Sequence, residues 1–315
     1  MTATDTIVIA LGGNAIARAG DDGTIDAQYR RAQEAMSSVA GLLCAGAHVV
    51  LTHGNGPVVG NIVLRGELAS GQVPPMPLFI AGADSEGGIG LMLQQTLGNE
   101  MRKRGSSRVV ASIITQVVVD AEDPAFKRPT KPIGSFYSAD DARRFEKQRS
   151  WTMAEQHDGR WRRVVASPRP QRVVEVAAVR AALDAGVVPI ACGGGGVPVT
   201  ERPDGMLEGV DAVIDKDWTS ALLAEQIGAD MLVILMEVEG LYLDWGTPSA
   251  RLVDKISAAD ATSLLKDGTL SEGSIAPKVA AAAHFASASG KRALLCRTED
   301  LGDAVEGRAG TSIVP

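Results

Sequence analysis

Short runs of apolar residues recur along the chain, and each ends in a glycine-rich turn that leads into a helical pattern. The clearest runs are IVIALGG, HVVLTHGNG, VVPIACGGGG and MLVILMEVEG. Strands that are apolar throughout, rather than alternating, indicate a sheet that is covered on both faces. The pattern therefore predicts an α/β fold built on a mainly parallel sheet. Ligands of such sheets bind at the carboxyl ends of the strands, where these glycines lie.

One segment, from about residue 121 to 170, interrupts this rhythm. It contains EDPAFKRPTKPIGSF, a charged helical stretch and GRWRRVVASPRP. Because it is short and polar, we expect an inserted subdomain, here called the flap, within a single domain over 1–315. Its arginines, interleaved with Trp151 and Trp161, could form a nucleic-acid patch, but a solvated flap anchored by the tryptophans is the commoner arrangement. Those arginines are Arg143, Arg144, Arg149, Arg160, Arg162, Arg163, Arg169 and Arg172.

Composition narrows the class of protein. The 315 residues carry a formal net charge of -7, which argues against a nucleic-acid binder. The three cysteines, Cys44, Cys192 and Cys296, are far apart in apolar surroundings, so we expect reduced, buried thiols. No basic leader and no long apolar run is visible, which predicts a cytoplasmic protein without a membrane span.

Three glycine-rich loops are candidates for binding phosphate. ALGGNAI (10–16) and THGNGPVVGN (52–61) follow strands directly, and CGGGGVP (192–198) has four consecutive glycines. Glycine lets backbone N–H groups approach an anion, and a following helix favours negative charge. Each loop alone could be a tight turn, but three together favour a phosphate site. The Walker A pattern is missing, and GNGPVVG has the wrong spacing for a dinucleotide-binding fingerprint.

Three lysines suggest chemistry on phosphoryl groups. In VIDKDWTSALLAEQIGAD, Asp217 is expected to cap the helix, and Lys216 stands between Asp215 and Asp217, which could fix its direction. Such a lysine can neutralise the charge of a phosphoryl group in transfer, although a surface ion pair is the plain alternative. Lys131 in PTKPIG and Lys278 in APKV suit the same role, or are ordinary solvated lysines.

The histidines indicate no further chemistry. His53 lies in THGNG, where a structural, hydrogen-bonded role is more common than substrate contact. No cluster of histidine and cysteine predicts a transition-metal site, whereas Mg²⁺ bound to a nucleotide needs few protein ligands.

Together, IVIALGGNAI, THGNGPVVGN, TQVVVDAEDPAFKRPTKPIG, RRVVASPRP, ACGGGGVPV, VDAVIDKDWTSALLAEQIGAD and GSIAPKV resemble the carbamate kinase family of the amino acid kinase superfamily. The resemblance runs in order over nearly the whole chain and includes the flap. It implies a three-layer αβα sandwich, a cytoplasmic homodimer acting on small molecules, and Mg²⁺-dependent phosphoryl transfer between carbamoyl phosphate and ADP to give ATP. The pathway, in arginine metabolism or in purine or allantoin breakdown, is left open.

The resemblance also implies roles for individual residues. Carbamate and the transferred phosphoryl group would contact Gly12, Gly13, Asn14, Gly54, Asn55 and Gly56. The nucleotide would contact Lys216, Glu237, Tyr242, Gly273, Ser274 and Lys278. The residues expected to act in catalysis are Lys131, Lys216, Asp215, Asp217, Gly12 and Asn14, with Lys131 reaching down from the flap because the first strand carries no lysine.

Two positions depart from the family pattern. Met236-Glu237 replaces the usual Thr-Asp or Thr-Gly pair near the expected nucleotide. Glu86 and Leu91 replace the usual Gln and Tyr. A carboxylate at position 86 would repel a nearby anion, unless this segment faces a dimer interface instead. A relative acting on another small acid, or a non-catalytic protein that binds nucleotide or carbamoyl phosphate, therefore stays open as an alternative. A dehydrogenase is a remote one.

Overall fold

A twisted eight-stranded sheet forms the centre of the computed structural model, which describes residues 5–13, 16, 23–69, 71–156, 159–270 and 275–315. Its strands run parallel, except that β16 and β17 pair antiparallel. In spatial order they are β15 (Lys255–Ser257), β17 (Thr311–Val314), β16 (Arg292–Arg297), β12 (Met231–Met236), β1 (Thr6–Leu11), β2 (His48–His53), β9 (Val188–Ile190) and β3 (Val110–Ser112).

Helices cover both faces of this sheet. One layer consists of α1 (Ile25–Cys44), α3 (Leu78–Lys103) and α9 (Leu301–Val305). The other consists of α5 (Val176–Asp184), α6 (Lys216–Ile227), α7 (Ala258–Lys266) and the alanine-rich α8 (Ile275–Ser289). The predicted α/β class and the three-layer sandwich are therefore confirmed.

Successive residues of the central strands supply the two cores alternately. In β1, Ile7 and Ile9 pack with the α1 layer, whereas Val8 and Ala10 pack with the α6 layer. This is the period-two geometry of a strand that is buried on both faces. It explains why the runs read as continuously apolar.

Smaller sheets surround the central one. A four-stranded sheet has the order β11 (Leu207–Gly209), β10 (Val197–Glu201), β4 (Gln116–Val119) and β8 (Pro170–Val173). A hairpin pairs β13 (Tyr242–Leu243) with β14 (Arg251–Leu252). The helix α2 (Gly56–Leu68) follows β2 directly and packs beside α3.

The described part of the flap contains an antiparallel sheet, one α-helix and a short 3-10 helix, Pro124–Phe126. Its strands are β5 (Lys131–Tyr137), β7 (Trp161–Val165) and β6 (Thr152–Glu155), and its helix is α4 (Ala139–Arg149). Phe145 and Trp151 form a small apolar cluster there, and the guanidinium of Arg149 lies 4.6 Å from the Phe145 ring centre. A cation over an aromatic face is attracted by the ring quadrupole. Trp151 thus anchors the flap. Some of the flap arginines pack on the aromatic residues of this cluster.

Two further expectations concern exposure. Cys192 and Cys296 are buried free thiols, but Cys44 is exposed, so the prediction of three buried cysteines was wrong for that residue. Cys44 ends α1, on the side that faces away from the sheet. In the part of the chain that the structure describes, every helix is too short or too polar to cross a membrane.

Candidate active site

A cavity of about 250 Å³ lies at the carboxyl ends of β1 and β2, where the sequence predicted a ligand site. Its walls include Gly13, residues 54–57, residues 131–133 of the flap, residues 213–217 and Lys278. Together with Gly194, six separate segments of the described chain, one of them from the flap, therefore meet around one space.

The first two glycine loops contact each other at the floor of the cavity. A Cβ added to Gly54 would lie 3.1 Å from the backbone nitrogen of Gly13 and 3.3 Å from Cδ of Lys216. Asn55 and Gly56 stand at the start of α2, where helix amides are available to an anion. Gly12 follows β1 directly. The predicted Asn14 lies outside the described residues.

The third glycine loop packs closely against neighbouring residues. Gly194, Gly195 and Gly196 all have positive φ, and a Cβ on Gly194 would lie 2.1 Å from the side-chain nitrogen of Asn55. Only glycine fits such a position without moving its neighbour. Of this loop, Gly194 alone lines the cavity, so its chief role is to support the Asn55 side chain.

Asp215, rather than the predicted Asp217, is the N-cap of α6. Its Oδ1 accepts hydrogen bonds from the backbone N–H groups of Asp217 at 3.0 Å and Trp218 at 3.4 Å. Its Oδ2 accepts a hydrogen bond from Nζ of Lys131 at 2.7 Å. Asp215 therefore orients the flap lysine, not Lys216 as expected from the sequence.

Asp217 joins the two remaining lysines. One carboxylate oxygen accepts a hydrogen bond from Lys216, and the other accepts one from Nζ of Lys278 at 3.0 Å. Burial raises the pKa of Asp217, but Lys216 and Lys278 outweigh it and lower the pKa to about 2. Burial lowers the pKa of Lys216, and Asp217 opposes that effect. The carboxylate stays ionised and holds both ammonium groups in the cavity wall.

Of the nucleotide residues implied by the resemblance, Lys216 and Lys278 line this cavity, and the other four lie away from it or outside the described residues. Exposed Glu237 follows β12, and the Tyr242 hydroxyl donates a hydrogen bond to Glu239. The rings of Tyr242 and Trp245 meet edge to face, with centres 5.0 Å apart. Gly273 and Ser274 lie outside the described residues.

Glu86 is buried behind the third glycine loop and is not part of the cavity wall. Its two carboxyl oxygens accept hydrogen bonds from the backbone N–H groups of Gly193 at 2.9 Å and Thr115 at 3.2 Å. Burial raises its pKa to about 8, although these hydrogen bonds oppose the rise. Glu86 does not face the cavity, so the expectation that its carboxylate would repel an anion there was wrong. Leu91 lies on the outer face of α3 and is 58% exposed.

His53 is fully buried beside this wall. Its Nδ1 lies 3.1 Å from the carbonyl oxygen of Gly54, and burial lowers its pKa to about 4. Among the described residues, its Nε2 has no hydrogen-bond partner. A neutral, buried imidazole favours the structural role over substrate contact.

The sequence did not single out Ser85, although it fixes a residue of the site. Its Oγ accepts a hydrogen bond of 2.8 Å from the side chain of Asn55 and donates one to the carbonyl of Gly82. A buried serine in a helix commonly bonds to the preceding turn, so the residue type alone gives no functional signal.

Glycine amides, a helix N-terminus and three lysines on two carboxylates thus face one space. Such a space can bind and align phosphate groups, and within the described residues it offers no activated nucleophile for covalent catalysis. The fold and the site define a phosphotransferase of the α/β class.

Comparison with known proteins agrees with this class. Residues 5–297 match the amino acid kinase family. A carbamate kinase from Pyrococcus horikoshii is 42% identical over 315 residues, with 99% of each chain covered. The carbamate kinase-like protein YqeA of Escherichia coli is 43% identical over 311 residues, with 98% of each chain covered. A solved structure of carbamate kinase from Giardia lamblia bound to AMP-PNP has a TM-score of 0.92, at 38% identity over 100% of this chain and 99% of that one.

This chain belongs to the amino acid kinase family. Within it, the similarity over full length is to carbamate kinases and carbamate kinase-like proteins.

Proposed function

We propose that this protein is a carbamate kinase, which transfers a phosphoryl group reversibly between carbamoyl phosphate and ADP. The observation that carries the proposal is the set of three lysines that Asp215 and Asp217 hold at one cavity. Full-length similarity to carbamate kinases supports the same acceptor.

The transfer needs the two substrates to be aligned and the negative charge of the phosphoryl group to be neutralised. Toward ATP, the bond between phosphorus and the carbamate oxygen breaks, and a bond between phosphorus and a terminal oxygen of ADP forms. No protein group becomes covalently attached, and no proton is transferred. The carbamate released then decomposes to ammonia and carbon dioxide.

The residues divide between the two substrates. The loops with Gly12, Gly13, Asn14, Gly54, Asn55 and Gly56 would hold carbamoyl phosphate by backbone and amide N–H groups. Lys216 and Lys278 would hold the ADP phosphates, and Lys131 would neutralise the group in transfer from the flap side. Glu237, Tyr242, Gly273 and Ser274 would complete the nucleotide site. Residues 121–170 would act as the inserted flap of a single domain.

Magnesium fits this site as a companion of the nucleotide. Within the described residues, no group of three or more histidine, cysteine, aspartate or glutamate side chains is placed to hold a metal. The two cavity carboxylates already face lysines. Mg²⁺ commonly keeps only one or two protein ligands and takes substrate phosphates for the rest, and when bound it would supply further positive charge.

The decisive experiment measures ATP formation from ADP, Mg²⁺ and carbamoyl phosphate, corrected for spontaneous hydrolysis of carbamoyl phosphate. We expect rapid, enzyme-dependent ATP formation. Binding of ADP without ATP formation would instead favour the second candidate, a kinase for another small carboxylate. The exposed Glu237 and the similarity to a carbamate kinase-like protein favour that candidate. In that case, ATP consumption should be measured with other small acids. If none of them is phosphorylated, a non-catalytic binding protein remains.

We also infer a homodimer formed through the outer face of α3. Leu91, Ile80 and Ile114 are 58%, 40% and 47% exposed, and the glycines at 87 and 88 leave this surface flat. Light scattering should give twice the mass of one chain for the wild type and the single mass for Leu91→Arg. A wild-type monomer would contradict the inference. A cytoplasmic location would be checked by cell fractionation.

A further inference from the structure

Two glycines meet where the flap rests on the core. Gly60 is buried in the second turn of α2, and Gly134 lies in β5 with φ of 71°. A Cβ added to Gly60 would lie 2.1 Å from Cα of Gly134 and 2.5 Å from its backbone nitrogen. Real Cβ atoms essentially never come within 3.0 Å of a heavy atom that lies outside their own residue and the neighbouring stretch of chain. The backbones of α2 and β5 are therefore closer than any side chain at position 60 would allow.

The contact connects two parts of the candidate site. Gly60 stands about one helical turn from Gly56, at the loop expected to bind phosphate. Gly134 stands three residues from Lys131, whose Nζ lies 2.7 Å from Asp215. A change in the spacing of α2 and β5 would therefore move the flap lysine relative to the loop.

Local structure fixes β5 against α2 at this point. The pairing of β5 with β7 shifts register between Ile133 and Tyr137, and the carbonyl of Gly134 accepts a hydrogen bond from Nε of Arg162 at 3.1 Å. Ile133 is buried in an apolar cluster with Val59 of α2. The strand thus bulges onto the helix instead of passing above it.

We propose that the Gly60–Gly134 contact is a positioning element for phosphoryl transfer. It sets the distance between the flap and the core at which Lys131 reaches the cavity. This inference rests on the proposed function. Gly60 and Gly134 are positioning residues, since neither has a side chain that could touch the substrate.

The helix side of the contact is the sensitive one. A Cβ on Gly134 would meet Cα of Gly60 at 3.6 Å, which is ordinary van der Waals contact, so a side chain there would be strained by its φ of 71° and not by the contact. On the same helix, a Cβ on Gly66 would have only Cβ of Met76 near it among the described residues, at 3.9 Å. Gly66→Ala is therefore a matched control for Gly60→Ala, with the same change in helix propensity.

The test is a double-mutant cycle on ATP formation. Gly60→Ala should lower kcat by about 10- to 100-fold, the scale expected when a catalytic group is displaced by about 1 Å. Its Kd for ADP, measured by calorimetry, should stay within about twofold of wild type, because the lysines on Asp217 belong to the core. Gly66→Ala should behave as wild type. In a Lys131→Ala background, Gly60→Ala should cause no further loss, since there is no lysine left to displace.

Two kinetic results would overturn the inference: a wild-type kcat for Gly60→Ala, or an equal loss with and without Lys131. If Gly60→Ala does not fold, Arg162→Met removes the hydrogen bond to the Gly134 carbonyl, loosens the same contact and enters the same cycle. Hydrogen exchange over residues 131–137 gives a readout that does not depend on the reaction. It should accelerate in Gly60→Ala and not in Gly66→Ala, and unchanged exchange would count against the contact. If the wild type forms no ATP but exchange is still accelerated in Gly60→Ala, the proposed function is refuted and the contact itself is not.

Discussion

Two carboxylates are buried near the candidate site, and burial has opposite outcomes for them. Asp217 lies in the cavity wall between Lys216 and Lys278, and its pKa falls to about 2. Glu86 lies behind the third glycine loop, where its partners are two neutral backbone N–H groups, and its pKa rises to about 8.

The difference lies in the partners and not in the depth of burial. Desolvation raises the pKa of both acids, but only Asp217 has adjacent cations to reverse that effect. In the cavity wall, Asp217 therefore stays charged and holds two lysines. Behind the wall, Glu86 instead holds the backbone of the third glycine loop. Substitutions in either region test this difference.

The largest effect is expected for Asp217→Asn. The change leaves Lys216 and Lys278 facing each other without a carboxylate, and breaking a buried ion pair costs about 3–5 kcal/mol. We expect a loss of this size in the free energy of unfolding at pH 7, measured by urea denaturation with far-ultraviolet circular dichroism. The exposed Asp184→Asn serves as the control.

The pH dependence sharpens that prediction. The pKa of Asp217 is lowered on folding, so its stabilisation is present above the ordinary aspartate pKa of 3.8 and is lost as pH falls towards about 2. The difference between wild type and Asp217→Asn should therefore shrink over that interval. A difference that stays constant from pH 4 to pH 2 would mean that the charge of Asp217 is not its source.

The next effect is on catalysis. Lys216→Ala should lower kcat by about 10²- to 10³-fold, the range seen when one group that stabilises transition-state charge is removed. The fold should persist, because Asp217 keeps its second partner, Lys278, and so remains a paired carboxylate. ATP formation is the measurement, and the exposed Lys255→Ala is the control. Normal turnover by folded Lys216→Ala protein would refute the role assigned to this lysine.

The sequence predicted the fold well because β1, β2, β9 and β12 are mainly apolar and each leads into a glycine-containing turn. It could not decide which aspartate caps α6, since Asp215 and Asp217 both suit an N-cap. The contact between Lys131 and Asp215 joins residues 84 positions apart, through the docking of the flap. Local spacing carries no information about such docking. The site of Glu86 was missed for the same reason: a helical pattern shows that a residue is buried, but not against which loop.

The effect of Glu86→Gln is spread over several pH units, so that little of it falls in any one of them, and it is read from a slope. The pKa of Glu86 is raised on folding, so its contribution is most favourable below the ordinary glutamate pKa of 4.5 and is lost as pH rises towards about 8. Glu175 and Cys192 are the other titratable groups near it, and His53 stays neutral beside it. Relative to Glu86→Gln, the wild type should lose roughly 1.4 kcal/mol of unfolding free energy for each pH unit in that interval. Urea unfolding between pH 5 and 8 measures the slope of unfolding free energy against pH for the wild type and for Glu86→Gln. A constant difference in free energy caused by the amide does not change either slope. Parallel profiles would show that Glu86 ionises in the folded protein as it does in the unfolded chain, and the contrast with Asp217 would then fail.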